Sequence, residues 1–159
     1  MSADQKSGQK LIASNPNSYS NYFIQEVVEA GLVLTGTEVK SLRSQSPNLK
    51  DSYVEVSSSG KKFEAWLLNT HIGPYSHGNI WNHMVLRRRK LLLHHDQLQR
   101  LHGAVIQKGM SIIPIKMYFK NGIAKLELGL GKGKKKHDKR EDIKRKTAER
   151  EIEAVMKRR

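Results

Sequence analysis

Seven histidines are the side chains whose type best suits metal binding or proton transfer, and their spacing argues against both. His71, His77 and His83 lie six apart, His94 and His95 are adjacent, and His102 is isolated, so none shows the i, i+4 arrangement that sets two imidazoles on one helix face. Histidines that stack on bases or donate to phosphates fit this scatter better. No serine of the nucleophile-elbow type and no glycine-rich phosphate loop is present. His137-Asp138 is a neighbour pair, and on a helix the two side chains would diverge by about 100°, too far for a relay by themselves. With 0 Cys, disulfides and thiolate metal sites are excluded. The sequence implies no cofactor.

Charge carries the stronger signal. Lys and Arg number 29 against 15 Asp and Glu, a formal net charge of +14, which calls for a polyanionic partner. Residues 132–159 hold 13 basic and 6 acidic side chains, so the excess is shared between this tail and the body before it. No long apolar run or bulky apolar helix face points to a membrane. In the body, Lys40, Arg43, Lys116, Lys120 and Lys125 read either as ordinary solubility charges or as phosphate contacts. On the second reading Tyr22, Tyr53 or Tyr118 would supply stacking surfaces.

These residues need elements to hold them. Residues 1–21 read as a flexible N-terminal segment: Met1 to Lys10 is polar and lacks an apolar signal core, and Asn15-Pro16-Asn17-Ser18 is rich in turn formers. Tyr22-Phe23-Ile24 and Gly31-Leu32-Val33-Leu34 read as strands, with the state of Glu26 to Ala30 between them open. Thr37 is a plausible N-cap for a short helix through Arg43, with Val39 and Leu42 inward. Strands are expected at Leu49 to Val56, Phe63 to Ile72, Ser111 to Phe119 and Ile123 to Leu130, the last two joined by the two-residue turn Asn121-Gly122. Pro114 marks an edge or a bulge. A long loop runs from Gly73 to Leu86, and Leu98, Leu101, Val105 and Ile106 recur at helical spacing. About six short strands with two or three short helices predict a mainly β fold, an OB-like closed antiparallel β-barrel over residues 22–131 with a basic C-terminal tail.

That tail starts at Gly131-Lys132-Gly133, where glycines and self-repelling cations read as a hinge, either RNA-contacting or merely solvated. Beyond it, Ala148, Ile152, Val155 and Met156 make a narrow apolar stripe with Ile143 opposite. So thin a stripe predicts that residues 132–159 are disordered when free and become helical on an anionic surface.

Several ordered blocks carry a resemblance across nearly the whole chain: Glu29-Ala30-Gly31, Thr35-Gly36-Thr37-Glu38-Val39-Lys40-Ser41-Leu42-Arg43, Asn48-Leu49-Lys50-Asp51-Ser52-Tyr53, Arg89-Lys90-Leu91-Leu92-Leu93-His94, Tyr118-Phe119-Lys120-Asn121-Gly122 and Gly133-Lys134-Lys135-Lys136-His137-Asp138-Lys139-Arg140. In these the chain resembles the SsrA-binding proteins, the small protein B family of bacterial trans-translation. The resemblance implies a cytoplasmic RNA-binding adaptor, not an enzyme. Such an adaptor binds the tRNA-like domain of transfer-messenger RNA and, with GTP-bound elongation factor Tu, delivers it to stalled ribosomes. It implies RNA contacts at Asn15, Glu29, Lys40, Arg43, Leu92, His94, Lys120 and Lys125, supported by Lys132 and Lys134. It further implies that the tail enters the empty mRNA channel of the small ribosomal subunit, with His137, Asp138, Lys139 and Arg140 meeting the rRNA of the decoding centre. One departure is plain: Asn15 to Asn21 carries no basic residue where the family has a Lys/Arg-Ala-Arg-His-like stretch.

Overall fold

The computed structural model describes residues 8–158 and shows a mainly β body with a helix extending from it. Among the described residues the order is β1 (Gln9–Ser14), α1 (Ser18–Asn21), β2 (Tyr22–Leu32), α2 (Gly36–Ser44), β3 (Tyr53–Ser59), β4 (Lys62–Leu68), a 3-10 turn (Asn79–Trp81), β5 (Arg89–Leu92), α3 (His95–Lys108), β6 (Ser111–Lys120), β7 (Ile123–Gly133) and α4 (Lys136–Lys157). All strand pairings are antiparallel, in the order β1-β6-β3-β4-β5-β2-β7, and β7 pairs back onto β6. The chain of pairings therefore returns on itself, leaving β1 outside the ring on β6.

Alternation explains the interior. Ala124, Leu126, Leu128 and Leu130 of β7 all point inward and are buried, meeting Leu67, Leu91 and Met117 from three other strands. Asn121 (φ 51°) and Gly122 (φ 79°) both adopt positive φ in the β6–β7 turn, the requirement that an Asn-Gly pair meets. The register shifts beside Pro114, so the missing donor falls at a bulge.

Several expectations are corrected. Gln9–Ser14 is a strand paired with β6, so this part of the N-terminal segment is ordered by ladder bonds; residues 1–7 lie outside the described residues. The two strands expected around Glu26 to Ala30 are one, β2, bent at a register shift between Ile24 and Glu26. β3 begins at Tyr53, because Leu49 to Ser52 form a turn. Thr35, not Thr37, caps α2: its side-chain oxygen accepts from the Glu38 N–H, and Glu38 returns a bond to the Thr35 N–H. The glycines expected to loosen a hinge belong to β7, and a Cβ on Gly131 would sit 2.3 Å from the Phe23 carbonyl oxygen. Here glycine permits close backbone approach.

Candidate nucleic-acid interface

Register brings part of the expected site together on the outer side of β2, β7 and β6. Glu29 lies opposite Glu127, Gly31 opposite Lys125, and Lys125 opposite Tyr118. The Tyr118 hydroxyl donates to Glu29 Oε2, and the Lys120 ammonium lies 3.5 Å from the same oxygen. The Tyr118 hydrogen bond, followed by Lys120 and Lys125, holds the Glu29 carboxyl below the usual carboxylate range against the opposing effect of burial. Burial and the Glu29 bond push the Tyr118 phenol well above its ordinary value, so it stays a donor. Tyr118 is itself buried and presents no ring for stacking, which corrects that expectation.

Glu29, Gly31, Leu92, His94 and Lys125 line one cleft of about 430 Å³. Gly31 has no side chain to fill it, and a Cβ there would meet Leu92 Cβ at 3.2 Å. Leu92 is 56% exposed, and His94 is the N-cap of α3, its N–H donating to Gln97 Oε1 at 3.1 Å. Glu29 and Lys125 thus share one cleft with exposed Leu92 and with His94, and Lys120 stands beside Glu29 outside the lining. A carboxylate locked among donors still accepts from a ribose hydroxyl or a base amine, while the ammonium groups meet phosphate.

The remaining expected residues are placed elsewhere. Asn15 is buried beside the β6 bulge, its amide donating to the Pro114 carbonyl at 2.9 Å and its N–H to the Ile115 carbonyl at 2.7 Å. Lys40 and Arg43 are exposed on α2, and Lys132 is exposed near the end of β7. Lys134 turns back on the protein. Its ammonium donates to the Tyr19 carbonyl at 3.0 Å, pairs with Asp142 of α4 and lies 4.9 Å over the Phe23 ring. In α4, Asp138 accepts from the Lys135 N–H, His137 faces Glu141 at 3.0 Å, and no residue of the helix is buried. His137 to Arg140 therefore occupy its first turns.

Two features escaped the sequence reading. Glu38 is fully buried with Arg89, which also donates to the Thr70 carbonyl at 2.8 Å, and Arg87 closes the group from the surface. Burial raises the Glu38 pKa, but the Thr35 N–H and the two guanidinium groups overcome it and leave the group lowered. The Thr35-x-x-Glu38 spacing was the available signal for this. The histidines also have plain partners: His95 and His102 flank Phe63 at 5.5 and 5.2 Å, and both ring nitrogens of His83 are engaged, by Thr37 and the Ile72 carbonyl.

A mainly β ring with lysines at an outer cleft and a basic terminal helix has the makeup of a nucleic-acid-binding protein. The chain belongs to the SmpB protein family, whose model matches residues 12–158. It is 53% identical over 150 residues to the SsrA-binding protein of Pelobacter propionicus, covering 94% of this chain and 96% of that one. It is equally similar, 53% over 150 residues and 94% and 95% of the two chains, to the SsrA-binding protein of Anoxybacillus flavithermus. A solved chain described as "tmRNA-SmpB: a journey to the center of the bacterial ribosome" superposes with a TM-score of 0.64 at 42% identity, covering 80% of this chain and 87% of that one.

Proposed function

We propose that this chain is an SsrA-binding adaptor that holds the tRNA-like domain of transfer-messenger RNA in the Glu29 cleft and carries it to stalled ribosomes. The observation that carries this is the Glu29 carboxylate, fixed by Tyr118 between Lys120 and Lys125 in a cleft lined also by Leu92 and His94. Family membership and the tmRNA-bound neighbour support the same ligand. The closed ring of pairings supports an OB-like barrel as the frame, and such barrels bind nucleic acid with one face and its bordering loops. Lys40, Arg43 and Lys132 add cations at the edges, while Asn15 and Lys134 serve by ordering the segments that flank the body.

The tail acts on the ribosome. His137, Asp138, Lys139 and Arg140 meet the rRNA of the decoding centre, and the rest of α4 lies in the empty mRNA channel of the small subunit, where phosphates neutralise its charge. Elongation factor Tu with GTP joins the delivery complex, and the site of action is the cytoplasm. The role is one of binding and delivery without catalysis by this chain. Glu29→Ala, Tyr118→Phe and Lys125→Ala chains, titrated with a transcript of the tRNA-like domain, test the cleft. Weakening in all three is expected; unchanged affinity in all three would move the interface elsewhere.

A further inference from the structure

No acidic residue lies between Glu64 and Asp96, a stretch that ends in Arg87-Arg88-Arg89-Lys90 before two histidines. The 73–86 loop within it is tied down at both ends. The carbonyls of Gly73 and Pro74 accept from Ser41 Oγ at 2.6 Å and Gln45 Nε2 at 2.9 Å, both on or beside α2. The Ile72 N–H donates to the Val85 carbonyl at 3.1 Å, and Asn82 closes the loop by bonding both the N–H and the carbonyl of Tyr75. On this anchored frame Trp81 is 84% exposed and Met84 77% exposed. Large apolar side chains fixed in water mark a surface that a partner covers.

The surrounding charge identifies that partner. The Arg88 guanidinium lies 4.3 Å over the Trp66 ring, and the Lys40 ammonium 5.6 Å from the Tyr75 ring centre. Glu38, at the base of the loop, is buried and spent on Arg87 and Arg89. An exposed indole on a loop that carries Tyr75 under Lys40 and runs into the 87–90 cations matches a strand in which a flat base alternates with a phosphate. On the neighbouring strands Glu64 pairs with Lys90 at 3.8 Å and Glu55 lies opposite Trp66. The outer side of β5 joins this surface to the cleft, for Lys90 lies opposite Trp66 and Leu92 opposite Gly31.

We propose that the 73–86 loop is a second arm on the same RNA, in which Trp81 stacks on an unpaired base and Arg88 meets the adjoining phosphate. The inference rests on the RNA reading above. The chain has 2 Trp, so Trp66→Phe leaves Trp81 as the sole indole reporter. Titration with the tRNA-like domain should quench its emission in step with binding. In the otherwise native chain, Trp81→Ala should weaken affinity about tenfold, as loss of one stacked base does, with Trp81→Phe close to native and the melting temperature unchanged. Native affinity in Trp81→Ala alongside a weakened Glu29→Ala would overturn the second arm and leave the cleft standing. Native RNA affinity with lost tagging in Trp81→Ala would assign the loop to a ribosomal or protein partner and equally overturn it. Failure of the native chain to bind the RNA would remove both.

Discussion

Glu38 and Glu29 show how one residue type does opposite work in this body. Glu38 neutralises Arg89 in the interior, so Glu38→Ala leaves a guanidinium buried and unpaired and should cost about 3–5 kcal/mol, read as a large drop in melting temperature. Its lowered pKa means that the stabilisation is complete above the ordinary carboxylate range and is lost as pH falls through the native-state value. Acid melts should accordingly show a shallower loss of stability in Glu38→Gln than in the native chain; equal slopes would remove Glu38 from acid unfolding. Glu29 instead faces the cleft. Replacing it or Lys125 with alanine should weaken RNA binding by about 1–3 kcal/mol with little change in melting temperature, a pairing of outcomes that filter binding and calorimetry together check. Glu29, His94 and Lys120 stand in the ordered blocks of the sequence, and Lys125 was legible as a contact only through the resemblance those blocks carry; that Glu29, Lys120 and Lys125 come together depends on strand register. Tyr118 was legible only as an aromatic, because whether it stacks on a ligand or donates to Glu29 depends on the β2–β7–β6 register, which no local pattern encodes. Arg89 was hidden in a run of four cations, although strand alternation requires some of that run to point inward.

Secondary elements were readable wherever a local rule acts alone. The β6–β7 hairpin follows from Asn121-Gly122 and the alternation on either side, and α3 from its apolar spacing. The errors lie where long-range pairing decides. Met1 to Lys10 is polar enough to read as a frayed end, yet Gln9 and Lys10 already belong to a strand for which β6 supplies the ladder. Gly131 reads as hinge material, yet β2 approaches it too closely for a side chain. Gly131→Val should therefore destabilise the body, with fast amide exchange in β2 and the end of β7; unchanged protection there would contradict the close approach. Lys134 has the same double character, since a cation in a basic run turns inward to pair with Asp142 and fix the first turns of α4. Asp142→Lys should raise amide exchange over residues 136–142, and the charge-swapped Lys134→Asp, Asp142→Lys chain should recover part of the protection. Beyond those turns Ile152, Val155 and Met156 stay exposed, so the helix has little burial to sustain it, and exchange there should be fast in the free protein and slow on the ribosome.

The net charge of +14 is shared between body and tail, and the proposed roles divide with it, RNA binding to the body and ribosome contact to the tail. If the body makes about five phosphate contacts, log affinity for the RNA should fall with log salt at a slope of about −4, and a flat response would point to a partner that is not a polyanion. No helix among the described residues is long and apolar enough to cross a membrane. Because α4 buries none of its residues, a chain ending at Lys135 keeps every strand, and its cleft should remain built. The most direct test measures two quantities on that truncated chain: affinity for the tRNA-like domain, and addition of the tag peptide to nascent chains on stalled ribosomes. Affinity within about tenfold of the native chain, with tagging abolished, is the predicted result. Loss of both together, or tagging that survives without the helix, would contradict the division of labour between cleft and tail.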